Sequence, residues 1–192
     1  MKGSFIGKLL TVIALGAFVF ESANAQAPRT TLQEPKTRLE AFERQPGSVV
    51  IKGFSEIGSV SGLGTISVKC MEFTDVSTGV RQMGIVFDVK ESGRLESSDR
   101  SFVDYDEIDP LLTGIDYISK VTASSTRLSK FEAIYMTKGD FRVDTFSTGS
   151  EKIEASVTSG YIGPVSAFIS TAKLAELRTL ISQAKQKLDE IK

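Results

Sequence analysis

Two apolar stripes at helical spacing stand a constant 66 residues apart in this chain, each directly after a strand-like run. Ile108, Leu111, Ile115 and Ile118 make the first. Leu174, Leu177, Ile181 and Ala184 make the second, which continues to Leu188 and Ile191. Steps of three and four place each set on one face of an α-helix. The same shift lays Phe102-Val103 on Phe168-Ile169 and Thr113 on Thr179. Helices with a single apolar face need a surface to cover, and the runs before both stripes alternate as half-buried strands do.

From residue 48 those runs can be followed in order. A first strand is expected over 49–56, and Gly58, Gly62 and Gly64 then bracket a permissive hairpin loop, GSVSGLG. In 65–73, Ile66, Val68 and Cys70 share one face while Thr65, Ser67 and Lys69 share the other. Met71 and Phe73 break that parity, which calls for a bulge or for burial of both faces. Residues 80–90 put Met83, Ile85, Phe87 and Val89 on one face, and a fourth strand ends at Phe102-Val103. Asp109 before Pro110 reads as an N-cap and first-turn pair for the helix that follows. After a Ser/Thr-rich linker over 122–130, strands are expected at 131–137, 141–146, 152–158 and 165–169. Ser170 or Thr171 then caps the final helix.

The expected fold is therefore α+β: largely antiparallel β-meanders, each followed by a helix, arranged as two similar ββββα halves. The halves span 48–122 and 131–192 of a single domain, forming two sheets or one long curved sheet. The upstream match is looser, with Phe87 and Val89 falling on Ile153 and Ala155 and Met83 on the turn residue Gly149. A strand-strand-strand-strand-helix unit repeated twice resembles, in topology, the Whirly and PUR-type proteins, and that resemblance implies a single-stranded nucleic-acid ligand. Charge argues the other way. Without Lys2, Lys8 and Glu21 the chain holds 21 basic and 23 acidic residues. Nucleic-acid binding needs basic residues in excess to displace counterions, so no nucleic-acid partner is expected.

The first 25 residues read as a secretory signal peptide. Lys2 and Lys8 precede the apolar run LLTVIALGAFVF, and Ala23-Asn24-Ala25 supplies the small residues of a cleavage site. Spanning a bilayer takes about 20 apolar residues, more than this run offers before Glu21. The expectation is an exported protein, periplasmic or secreted, with no membrane span after cleavage. Residues 26–47 read as a tether marked by Pro28, Pro35 and Pro46, with a short helix in KTRLEAFER packing Leu39 and Phe42.

Composition removes several chemistries outright. The chain has no His and a single Cys, so a Ser-His-Asp triad, a Cys-His pair, the common zinc sites and an intrachain disulfide are all unavailable. Cys70 shares parity with core residues and reads as a buried, inert thiol. Gly114, in mid-helix, costs about 1 kcal/mol relative to Ala and implies close packing there. Ser170-Thr171-Ala172-Lys173 matches S-x-x-K but lacks the S-D-N and K-T-G partners, and Ser182-Gln183-Ala184-Lys185 matches it equally well.

The densest group of candidate ligands is Asp104, Asp106, Glu107 and Asp109. Four carboxylates offer the oxygens a hard cation such as calcium takes, although Asp109 stands where an EF-hand loop needs Gly and Ile115 where it needs Glu. Acids also gather at helix starts because they cap them and complement the dipole, and capping is the expected role here. No other cofactor is expected. The functional expectation is an exported, non-enzymatic binding or interaction protein whose partner is an unidentified protein. The alternatives are a carrier holding an apolar small molecule between sheet and helices, and a carboxylate-based or calcium-binding protein using the four acids.

Overall fold

A computed structural model describes residues 34–93, 96–149 and 152–192, so the expected signal peptide and the start of the tether lie outside the described residues. A short helix α1 (Arg38–Glu43) comes first. Four strands follow, β1 (Val50–Gly62), β2 (Gly64–Asp75), β3 (Arg81–Lys90) and β4 (Ser98–Asp104). A 3-10 turn at Tyr105–Glu107 leads into α2 (Ile108–Ile118). The second half repeats the order with β5 (Glu132–Met136), β6 (Phe141–Thr148), β7 (Lys152–Ser159), β8 (Val165–Ile169) and α3 (Thr171–Asp189). The strands form two separate four-stranded antiparallel sheets, ordered β1-β2-β3-β4 and β5-β6-β7-β8. The protein is thus α+β with two similar meander-plus-helix halves.

Register shows how the halves correspond. In the first sheet Gly58 pairs with Val68, Val68 with Phe87 and Phe87 with Ser101. In the second, Tyr135 pairs with Val143, Val143 with Val157 and Val157 with Ala167. Ser101 and Ala167 stand three residues before Asp104 and Ser170, the turning points into α2 and α3. Phe87 therefore matches Val157, not the Ile153 that a constant shift gives, because the β7–β8 hairpin is shorter than the β3–β4 hairpin. A change in loop length slides a constant-offset alignment without altering the fold.

The helices cross over between the halves. α2 packs on β5 and β6, whereas α3 packs mainly on β1, β2 and β3 with a smaller contact to β7 of its own half, and the two helices touch each other. One core results. Ile66, Val68, Ile85, Phe87 and Val103 of the first sheet join Phe141, Val143, Ala155, Val157 and Ala167 of the second, together with both helix stripes. Phe87 stacks on Phe141 with ring centroids 3.7 Å apart, directly between the sheets. The Ser101 and Ser159 hydroxyls share a buried hydrogen bond of 2.7 Å beside them. Asp116 takes both Nε and Nη2 of Arg178 (2.6 and 2.7 Å), tying α2 to α3.

The parity break at Met71 and Phe73 reflects burial of both faces. The β2–β3 register is unbroken from Thr65 to Thr74, and the bulge lies in β1 between Glu56 and Gly58. Phe73 points to the outer face of the first sheet, where it meets Leu39, Val86 and Phe102 under α1. Six residues make a marginal helix in isolation. Here Leu39 is fully buried and the Thr37 hydroxyl accepts the Glu40 N–H, which fixes the helix in place.

Two expectations are corrected. GSVSGLG is not a loop: β1 runs through Gly62 and the chain reverses at Leu63. Gly58 is a site of close approach, since a Cβ there would stand 2.8 Å from the end of the Leu180 side chain. Asp109 is not an N-cap either. The helical turn begins earlier, at Tyr105, so Asp109 is already the second residue of α2 and Pro110 the third. Proline is tolerated there because the N–H groups of a first turn lack intrahelical partners.

Candidate functional site

The four acids at the end of β4 are placed beside one another in sequence and separated in their contacts. Asp104 is almost fully buried and accepts the backbone N–H groups of Arg38 (2.9 Å) and Leu39 (3.1 Å). It caps the first turn of α1, a helix that lies 65 residues upstream. Asp106 pairs with the exposed guanidinium of Arg38. Glu107 turns inward, where its Oε1 accepts the Lys138 N–H (3.1 Å) in the β5–β6 turn. Asp109 faces α3, 3.7 Å from Lys185. The second Glu107 oxygen is buried without a described partner. Burial, and secondarily the Glu107 charge, push the Tyr135 phenol above its ordinary range. Among the described residues no three His, Cys, Asp or Glu side chains are positioned to share a metal ion.

The other sequence candidates have structural employment. Ser170 accepts the Lys173 N–H (3.3 Å) as the N-cap of α3, and the Lys173 ammonium pairs with Glu176 (2.7 Å). Lys185 pairs with Asp189 (3.1 Å), well placed on one helix face for an i,i+4 contact. The Cys70 Sγ lies 3.3 Å from the Ala184 carbonyl oxygen, and burial pushes its pKa up to about 11.

Several grooves open among the described residues, and buried side chains of both sheets and both helices form the core between them. One groove, of about 260 Å³, lies between β1 and the end of α3. Gly53 leaves a notch in the α3-facing side of β1, Cys70 and Met71 sit beneath it, and Leu188 and Ile191 wall it. β1 is the edge of its sheet. Just past its end Leu63 makes a single antiparallel bridge to Phe168 of β8, while the first half of β1 pairs with no described strand but β2. Its first half is open to solvent, with Ile51 60% and Phe54 67% exposed. Lys52 and Glu56 flank Phe54 on the same face, held by Glu43 (2.8 Å) and Lys69 (3.2 Å). Sequence reasoning placed this strand but missed its edge position, because strand order depends on pairings made far along the chain. The run of exposed Val49, Ile51 and Phe54 is the signal that was there to be used.

A second groove of about 470 Å³ lies on the half of the first sheet's outer face that α1 leaves uncovered, lined by Ser67, Lys69, Asp88, Lys90, Ser98 and Arg100, with Asp99 at its margin. On the second sheet, Asp144 is 1% exposed although it points to the outer face. It accepts from Ser156 (2.9 Å), and Arg142 Nε lies 3.0 Å from Oδ1 but aims its hydrogen at Oδ2, leaving Oδ1 without an aligned donor. Burial raises the Asp144 pKa against the opposing pull of Ser156 and Arg142.

No family model, curated protein or solved structure matches this chain. The resemblance to Whirly and PUR-type proteins accordingly rests on element order alone. No helix among the described residues is long and apolar enough to cross a membrane.

Proposed function

We propose that this chain is an exported interaction protein that recognises an extended polypeptide segment by strand addition to the free edge of β1. The observation that carries the reading is that edge, long, one-sided in its pairing and flanked by exposed Ile51 and Phe54. An unpaired edge is a template for another chain's backbone, and pockets for alternate side chains give such recognition its selectivity. The notch at Gly53 is sized for one large apolar side chain. On the opposite side, Lys52, Phe54 and Glu56 favour an acid, an apolar residue and a base at two-residue spacing in the partner. The existing pairs of Lys52 and Glu56 are exposed and weak enough to exchange. Natural edges are commonly blunted by Lys and bulges, and β1 carries one of each, which suits a selective rather than an aggregating edge. Export rests on the signal-peptide pattern at residues 1–25. An apolar carrier would need an enclosed cavity, and the stacked Phe87 and Phe141 fill the centre of the fold.

Photo-crosslinking in the source cell tests the reading. A photoreactive residue replacing Phe54 should trap one polypeptide, while the same probe at exposed Leu128 or Tyr161 should not, and Ile51→Lys should abolish the adduct. Adducts of equal yield at all three positions, or none at Phe54, would refute strand addition. Native mass spectrometry showing a co-purified small molecule would favour the carrier instead.

A further inference from the structure

We propose that the uncovered half of the first sheet's outer face binds a small oxyanion, the phosphate or carboxylate of a small molecule, between Lys90, Arg100, Ser67 and Ser98. These residues stand on three adjacent strands. Ser67 pairs with Asp88, Asp88 with Arg100, and Lys90 with Ser98. Alternation sends their side chains to the same face, opposite the core residues Val68, Phe87 and Val89. Together they line a groove of about 470 Å³.

The charged hydrogen-bonding valence left open in the groove is that of donors. Its acceptors are engaged: Asp88 takes Arg100 Nε at 2.7 Å and Lys69 at 3.5 Å, and Asp99 turns toward Ser159 at the seam with the second sheet (3.5 Å). Lys69 is held from two sides, by Asp88 and by Glu56 (3.2 Å). What remains are two cationic groups and two hydroxyls that can all donate. The Lys90 ammonium, the two terminal nitrogens of Arg100 and the hydroxyls of Ser67 and Ser98 have no partner among the described residues. Three cations, Lys69, Lys90 and Arg100, face three carboxylates, Glu56, Asp88 and the marginal Asp99, each of which already has a partner. A group that accepts hydrogen bonds and carries negative charge completes that set, and a guanidinium with its fork free is well matched to phosphate or carboxylate. A metal cation would instead face the positive charges of Lys69, Lys90 and Arg100.

The test is an amide-shift titration of the folded protein with inorganic phosphate and, separately, with gluconate, at constant ionic strength set by sodium chloride. The expected result is saturable shifts confined to Ser67, Lys69, Lys90, Ser98 and Arg100. Lys90→Gln and Arg100→Gln should each weaken binding roughly tenfold, the size expected for one charge-assisted contact. Lys173→Gln, on a distant helix face, should leave it unchanged. Response to phosphate alone or to gluconate alone identifies which oxyanion the site prefers. Shifts spread over all surface cations, failure to saturate with either probe, or equal binding by the variants would overturn the proposal. Lys90 has no partner among the described residues, so its substitution reports on binding even if Arg100→Gln perturbs Asp88.

Discussion

The ring of Tyr135 occupies the space into which a side chain at Gly114 would project. The other half shows the converse, with Leu180 of α3 lying over Gly58 of β1. Gly114 and Leu180 hold matching helix positions, and Tyr135 and Gly58 hold matching strand positions, so large and small residues are exchanged between equivalent contacts. Each helix seats on the edge strand of the opposite sheet through one knob and one hole. Gly114→Ala gains about 1 kcal/mol of helix propensity but pushes on an aromatic ring, and overpacking of this kind costs about 1–3 kcal/mol. We expect net destabilisation by chemical denaturation, and recovery when Tyr135→Ala is added. A double-mutant cycle should give a coupling of about 1 kcal/mol or more. Gly58→Ala should cost less, because the end of the Leu180 side chain can rotate away.

Asp104 acts as a cap for α1 and not for its own helix. Asp104→Ala leaves the buried N–H groups of Arg38 and Leu39 without an acceptor, which should cost about 2–3 kcal/mol. Asp106→Ala removes only an exposed ion pair and should change stability by less than about 0.5 kcal/mol. Denaturant midpoints of the two variants measure the contrast. Calcium would have to take Asp104 from two backbone donors, so calorimetric titration should show no saturable heat; a stoichiometric heat lost in Asp106→Ala would reinstate the metal reading.

Asp144 is a carboxylate whose native-state pKa is raised, chiefly by burial. Its contribution to stability is therefore present below the ordinary aspartate range and lost as pH rises through the higher native value. Asp144→Asn should stabilise the protein at neutral pH, and the advantage should shrink as pH falls toward that ordinary range. Thermal melts across that window would reveal it.

Cys70 titrates at about 11 in the native state, above the thiol reference of 9.0. The native fold prefers the thiol, so this group's stabilisation is lost as pH rises from about 9 toward about 11. Less thiolate, by about a hundredfold, means native Cys70 should react with a thiol reagent at neutral pH at least that much more slowly than the unfolded chain.

Period and turn chemistry made most of the fold legible. Both stripes and the eight strands follow from local spacing, which also narrows the α3 cap to Ser170 or Thr171 and the Met71–Phe73 parity break to a bulge or a second buried face. The structure takes Ser170 and the buried face. What local spacing does not carry is which surface each stripe covers. Nothing in Ile108-Leu111-Ile115-Ile118 says that the helix packs on strands that follow it. For the same reason Asp104 reads as a cap for the nearest helix, when its partners are Arg38 and Leu39. Gly58 reads as a turn because glycine marks turns and close approaches alike. The open edge of β1 and the donor-lined groove depend on strand order, which no short window contains.

The crossover of the helices between the halves is the claim on which the rest stands, and dissection tests it most directly. Fragments 34–122 and 126–192, made separately, each lack the helix that covers their own sheet. Circular dichroism melts should show no cooperative transition for either fragment alone, and an equimolar mixture should recover one resembling the intact protein. A cooperative, native-like transition in fragment 34–122 by itself would show that α2 can close its own sheet, and would contradict the interlocked fold.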